Sequence, residues 1–88
     1  MWLPYNVRTN NLVSDSKDIE YLLDIMKNNL HYTSVGNALY IIENIKELYE
    51  LEDEIKAVLL YIAKHKKYTV YNRSMAINIL ANLKLGNL

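Results

Sequence analysis

Two nine-residue segments of this chain are similar to each other, and their starting positions lie 38 residues apart. Residues 38–46 have the sequence ALYIIENIK, and residues 76–84 have the sequence AINILANLK. Ala, Asn and Lys occupy matching positions, and four further matching positions are apolar in both copies. Similarity at a period of roughly 20–50 residues is typical of repeat proteins, in which each copy forms one supersecondary unit. The spacing therefore predicts two copies of a helical unit.

Apolar residues recur along the chain at the three- and four-residue spacing of amphipathic helices. Ser16 stands before the first such stretch and is its expected N-cap. The pattern predicts four helices, at about residues 17–30, 34–49, 53–66 and from 69 or 72 to 85.

The boundary between the second and third predicted helices depends on the repeat. The apolar spacing there also fits one long helix, but two copies of a hairpin require a turn, which we expect within residues 50–53. The apolar faces of the four helices predict a core of Ile19, Leu22, Leu23, Met26, Leu30, Val35, Ala38, Leu39, Ile41, Ile42, Ile45, Leu48, Tyr49, Ile55, Val58, Leu59, Ile62, Ala76, Ile79, Leu80 and Leu83.

These elements predict an all-α fold in a single domain over residues 1–88. Residues 1–15 form an irregular or extended N-terminal segment, residues 16–49 the first antiparallel hairpin and residues 50–88 the second. The hairpins either stack with a right-handed turn or close into a compact bundle. Two copies fall short of the three or more that a repeat array normally needs to bury its core, so we expect a homodimer or a partner.

Charge is divided unevenly along the chain, although the net charge is zero. Residues 1–54 hold all ten acidic residues and four basic residues, and residues 55–88 hold six basic residues and no acidic one. The two segments therefore carry charges of −6 and +6. The asymmetry indicates that the halves attract each other within the fold or in a dimer, or that one of them contacts a partner.

No catalytic or metal-binding pattern is present in the sequence. The two histidines, His31 and His65, have no metal-ligand spacing around them, and there is no cysteine. The acidic residues at 50–54 lack the spacing and the glycine of a calcium-binding loop. With only Gly36 and Gly86 the chain has no glycine-rich phosphate loop. We therefore predict no enzyme activity, no cofactor and no metal.

The second copy carries Arg73, followed by Ala76, Leu80 and Leu83 at intervals of three, seven and ten residues. This pattern resembles the second helix of HEAT repeats. The first copy keeps the equivalent apolar positions but has Val35 in place of the arginine. HEAT-like arrays bind macromolecules along the surface lined by their second helices. The resemblance implies a partner-binding surface formed by the outward residues Asn37, Tyr40, Asn44, Glu47, Asn78 and Asn82.

Basic residues, with two tyrosines among them, cluster around the start of the fourth predicted helix. Such a patch suits either the phosphates and bases of a nucleic acid or an acidic protein surface. Nucleic-acid-binding domains usually carry a strong basic excess, which this neutral chain lacks. The patch consists of Lys64, His65, Lys66, Lys67, Tyr68, Tyr71 and Arg73.

The whole chain is similar in size and style to small immunity or inhibitor proteins that neutralise bacterial toxins, to the four-helix immunity proteins of pediocin-like bacteriocins, and to phage-encoded antagonists of host defence. We therefore predict a non-catalytic protein-binding module that acts as a stoichiometric inhibitor. The alternatives are a nucleic-acid-binding helical repeat using the basic C-terminal half, or a structural subunit of a larger assembly. Without a signal peptide or an apolar run long enough to span a membrane, the expected location is the cytoplasm.

Overall fold

The computed structural model describes residues 13, 15–28, 31–45 and 47–84. Within these residues the chain forms α-helices and no β-strand, which confirms the all-α prediction. The helices are α1 (Ser16–Asn28), α2 (Tyr32–Asn44), α3 (Glu52–Lys64) and α4 (Val70–Lys84).

Side-chain oxygens mark the starts of two helices. The Asp15 carboxylate accepts a hydrogen bond from the Asp18 backbone N–H at 3.2 Å, so Asp15 caps α1 and the prediction of Ser16 was wrong. The Thr69 hydroxyl accepts one from the Asn72 N–H at 3.0 Å and caps α4. Of the two starts predicted for the fourth helix, the structure therefore has the earlier one. Most of the N-terminal segment predicted to be irregular, and Leu30, lie outside the described residues.

The second helix ends at Asn44, well before the predicted end at Tyr49. The Asn44 amide donates to the Tyr40 carbonyl at 2.8 Å, and Ile45 is extended, with φ −73° and ψ 151°. The chain then turns through Tyr49 and Glu50, whose φ angles of 52° and 63° lie in the left-handed region. A break between α2 and α3 is confirmed, but it spans residues 45–51 instead of lying within 50–53, and it contains no glycine.

The left-handed conformation of Glu50 gives the first testable prediction. L-residues pay roughly 1–2 kcal/mol in this region, whereas glycine does not. We expect Glu50→Gly to stabilise the domain by about 0.5–1 kcal/mol in urea unfolding followed by circular dichroism. Glu54→Gly, in the first turn of α3, is the control and should destabilise by about 1 kcal/mol. A loss of stability in both variants would contradict the argument.

Each helix packs against two others. The first helix, α1, contacts α2 and α3, and α4 contacts the same two, whereas no contact joins α1 to α4 or α2 to α3. The helices joined by the 45–51 connection, α2 and α3, therefore lie diagonally opposite each other and not side by side. Ala38 and Ala76, the matching small residues of the repeat, are both buried, as close approach between helices requires. The antiparallel direction of the hairpins and their HEAT-like stacking stay predictions.

The core follows the predicted apolar faces. Every described residue of the predicted core is buried or half-buried. Two residues outside that prediction are also buried, Tyr68 at 5% exposure and Asn72 at 2%. None of the four described helices combines the length and the apolar content that a membrane crossing needs.

Both of these buried side chains form hydrogen bonds to the end of another helix. The Tyr68 hydroxyl donates to the carbonyls of Met26 at 2.7 Å and Lys27 at 3.2 Å, in the last turn of α1. The Asn72 amide in α4 donates to the Tyr32 carbonyl at the start of α2, at 3.1 Å. The C-terminal ends of α1 and α3 and the N-terminal ends of α2 and α4 therefore meet at one end of the domain, which we call the turn end.

Candidate binding groove and the adjoining basic end

A groove of about 610 Å³ lies between α2 and α4 towards the turn end. It is bounded by the first half of α2 and by the start of α4 with the residue that caps it. Its lining residues are Tyr32, Thr33, Gly36, Asn37, Tyr40, Thr69, Tyr71, Asn72 and Met75.

The lining is aromatic, mostly apolar and without charge, with a smaller share of polar groups. Tyrosine and asparagine dominate it, so it offers apolar rings together with amide and hydroxyl groups that both donate and accept. Tyr32 and Tyr71 are 64% and 69% exposed, so the rim is open to solvent. This chemistry suits contact with an uncharged portion of a polypeptide, since tyrosine supplies large contact area with few rotatable bonds.

The helices that form the groove approach closely at Gly36. A Cβ atom placed on this residue would lie 3.2 Å from the Asn72 Oδ1, closer than ordinary van der Waals contact. Asn72 is held by its hydrogen bond to the Tyr32 carbonyl, so it is not free to move aside. The close packing of α2 against α4 therefore explains why a glycine occupies position 36.

Gly36 and Asn72 form a pair that a double-mutant cycle can test. Asn72→Ala loses a buried hydrogen bond and should destabilise by about 1–2 kcal/mol. Gly36→Ala alone should be close to neutral, because its gain in helix propensity of about 1 kcal/mol is offset by the contact with Asn72. In the Asn72→Ala background the same change should stabilise by about that amount, measured by urea unfolding. Equal effects in both backgrounds would disprove the close approach.

The predicted partner-binding residues divide into two groups. Asn37, Tyr40 and Tyr71 line the groove, so residues from both copies of the repeat meet there. The other residues predicted on the second helices do not line it, and Glu47 lies beyond the end of α2. Asn44 is exposed with its amide bound to the Tyr40 carbonyl, exposed Glu47 accepts a hydrogen bond from the Tyr49 N–H, and Asn78 and Asn82 are exposed and half-buried.

Lysines gather at the turn end. We call the side chains of Lys27, Lys64, Lys66 and Lys67 the basic end; all four are exposed. The ammonium groups of Lys27 and Lys67 lie 5.8 and 5.0 Å from the centre of the Tyr61 ring, one from α1 and one from the α3–α4 turn. Among the described residues no carboxylate lies within ion-pair distance of these four lysines.

Tyr61 forms hydrogen bonds to two residues of the basic end and its adjoining turn, Lys67 and His65. Its hydroxyl accepts a hydrogen bond from the Lys67 ammonium at 3.0 Å, which raises the pKa of Lys67 above its ordinary value. The His65 Nδ1 donates to the Tyr61 carbonyl at 2.6 Å, and the rings of Tyr61 and His65 are 3.9 Å apart at their centres. The lysine charge is therefore held next to the α3–α4 turn.

Two members of the predicted basic patch differ from the expectation. Tyr68 is buried and bound to α1, so it is not available to stack on a base. Arg73 is half-buried, and its Nε atom is buried without a hydrogen-bond partner. The exposed members of the patch are thus the three lysines, His65 and Tyr71, of which Tyr71 lines the groove.

The acidic residues lie mostly elsewhere. Residues 43–54, which hold six of the ten acidic side chains, connect the end of α2 to the start of α3. A helix of 13 residues is about 20 Å long, so these ends lie roughly that far from the turn end. The ion pair found among the described residues, Lys56 to Glu52 at 2.7 Å, is local to α3. No group of three or more potential metal ligands occurs in the same part of the chain.

Sequence reasoning missed most of the α4 side of the groove. Thr69, Asn72 and Met75 belong to it and were not predicted as site residues, and Tyr71 was predicted only as a member of the basic patch. The polar Asn72 was the available signal, because it falls on the α4 face that also carries Ala76 and Ile79.

Comparison with protein family models, with curated proteins and with solved structures finds no match for this chain.

Proposed function

We propose that this chain is a non-catalytic protein-binding module that captures one partner through the groove between α2 and α4, acting as a stoichiometric inhibitor of the immunity or anti-defence kind. The observation that carries the proposal is the groove itself. It brings Asn37, Tyr40 and Tyr71 from the two copies of the repeat into one open, uncharged, tyrosine-rich surface.

The scaffold around the groove supports this role. Both walls are helices fixed by buried contacts, among them Ala76 and Asn72. A surface that is already formed loses little conformational entropy on binding, which favours a tight one-to-one complex. Tyrosine is also among the residues that contribute most to protein interfaces.

A capture experiment with matched variants tests the proposal. The purified protein, biotinylated at one terminus, is incubated with extract of the cells that encode it, and retained proteins are identified and weighed by native mass spectrometry. We expect one protein in a one-to-one complex that is lost with Tyr71→Ala. Tyr21→Ala on α1 is the control, since Tyr21 is 67% exposed and does not line the groove.

The outcomes separate the alternatives. A partner retained equally by both variants would contradict binding in the groove. Retention of nucleic acid, with affinity falling steeply as salt rises, would favour the nucleic-acid-binding alternative, for which the four exposed lysines of the basic end are the supporting observation. Light scattering that shows a salt-resistant oligomer without a partner would favour the structural-subunit alternative.

A further inference from the structure

We propose that the partner segment taken by the groove is an acidic stretch of polypeptide with a large apolar or aromatic side chain, which enters the groove while neighbouring carboxylates contact the basic end. This inference rests on the proposed function and specifies the chemistry of the partner. It is carried by the position of the groove next to a cluster of lysines that the described fold does not neutralise.

The groove and the basic end are neighbours. Thr69 lines the groove and stands two residues after Lys67, within the same α3–α4 turn. The walls of the groove come from the first halves of α2 and α4. These helices begin at the turn end, where Lys27 and Lys64 lie in the last turns of α1 and α3. Successive residues of an extended chain lie about 3.3–3.6 Å apart, so a few residues suffice to reach from one surface to the other.

The lysines of the basic end are brought together by the fold. Lys27 comes from α1 and Lys67 from the α3–α4 turn, and both ammonium groups approach the Tyr61 ring. Both charges attract an anionic group that approaches the Tyr61 ring, so this arrangement favours the binding of a carboxylate. Lys67 in particular is oriented by its hydrogen bond to the Tyr61 hydroxyl.

The acidic residues of the chain do not supply that anion. Residues 43–54 lie near the opposite ends of α2 and α3, about 20 Å away. Asp24 lies closer along α1, but its carboxylate accepts a hydrogen bond from Asn28 at 2.7 Å and makes no ion pair with the lysines. The acidic residues, which give residues 1–54 a charge of −6, therefore leave the basic end without a partner charge within the described fold. The basic end is thus a positively charged surface that a partner can contact.

A polypeptide fits these surfaces better than a nucleic acid. The uncharged groove offers amides and tyrosines and no cation to a phosphate. The buried Tyr68 removes one of the two aromatic rings that the sequence placed beside the lysines. Single-stranded nucleic acids are bound by basic grooves that follow the backbone over several nucleotides, which four lysines at one end do not provide.

Synthetic polymers of defined chemistry test the inference without knowledge of the natural partner. Backbone amide shifts of the ¹⁵N-labelled full chain are followed by NMR during titration with a random glutamate–tyrosine copolymer, with polyglutamate, with a lysine–tyrosine copolymer and with oligo-dT. We expect the glutamate–tyrosine copolymer to shift residues of the groove and of the basic end, and to bind on the order of tenfold more tightly than polyglutamate.

A pair of variants at one position supplies the matched control. Thr33 is exposed, lines the groove and lies in the first turn of α2. Thr33→Glu suits the positive end of the helix dipole, so it should not impair folding, yet its carboxylate should weaken binding of the acidic copolymer on the order of tenfold. Thr33→Lys should keep or increase the affinity. Lys66→Glu combined with Lys67→Glu should weaken binding at least as much as Thr33→Glu.

The outcomes distinguish this inference from the proposed function. If the lysine–tyrosine copolymer shifts groove residues and the glutamate–tyrosine copolymer does not, the groove binds polypeptide and the acidic partner is disproved. If no polypeptide shifts groove residues, both proposals fail. If oligo-dT binds the basic end more tightly than either copolymer, or if Thr33→Glu and Thr33→Lys have the same effect, the inference is overturned.

Discussion

Replacing Tyr68 by alanine should abolish most of the stability of this domain. The substitution removes a buried aromatic ring, which costs about 3–5 kcal/mol, together with hydrogen bonds to the last turn of α1. Domains of this size are stable by only about 5–10 kcal/mol in total. We expect the urea midpoint to fall by more than half. Tyr71→Ala, at a side chain that is 69% exposed, should change stability by no more than about 0.5 kcal/mol.

The Tyr68 hydroxyl also makes stability depend on pH. Burial raises the pKa of Tyr68 above its ordinary value, although the Lys67 charge opposes the rise. Because the folded state holds this proton more tightly than the unfolded state, the stabilisation is complete below about pH 10 and is lost as the pH rises through the folded pKa. The raised pKa of Lys67 acts in the same direction.

Tyr68→Phe isolates this contribution. It should lower stability at neutral pH by about 1–2 kcal/mol, since the α1 carbonyls lose their donor. Urea unfolding at several pH values between neutrality and the alkaline range should show a shallower decline for the variant than for the native chain. An equally steep decline in both would show that Tyr68 does not cause it.

A second large effect is expected at Leu59. This side chain is fully buried where α3 meets its neighbours, whereas the adjacent Leu60 is 43% exposed. Leu59→Ala should destabilise by about 2–5 kcal/mol, because it removes apolar contacts and leaves a cavity. Leu60→Ala, the same chemical change one residue later, should cost about 1 kcal/mol or less. Similar losses in thermal unfolding of the two variants would disprove the assigned orientation of α3.

The parts of the fold that depend on local spacing could be predicted from the sequence. Ile19 and Met26 in α1, or Ile55 and Ile62 in α3, lie on one face because seven residues make almost two helical turns. The same spacing placed the end of α2 five residues too late. Ile45, Leu48 and Tyr49 continue the helical pattern, but they lie beyond the end of α2 and are buried or half-buried in the connection to α3.

Features that depend on distant contacts could not be predicted. The burial of Tyr68 follows from the carbonyl of Met26, and that of Asn72 from the carbonyl of Tyr32, each about 40 residues earlier in the chain. Gly36 is informative only once Asn72 is known to face it. The repeat indicated that α2 and α4 carry equivalent outward faces, which is why Asn37 and Tyr40 were predicted on a partner-binding surface. Tyr71 was predicted as part of the basic patch, and its place beside them in one groove depends on how α2 and α4 pack.

The pairing of the helices also has a consequence for how rapidly the chain folds. Two of the four helix contacts, α1 with α2 and α3 with α4, join elements separated only by a short turn. The search that brings such neighbours together closes small loops, so its entropic barrier is low. Helical domains with contacts of this range typically fold in microseconds to milliseconds. We therefore expect the docking of the two helix pairs, α1–α2 and α3–α4, to be the slower step. The 45–51 connection joins α2 to α3, and these two helices do not contact each other in the folded domain.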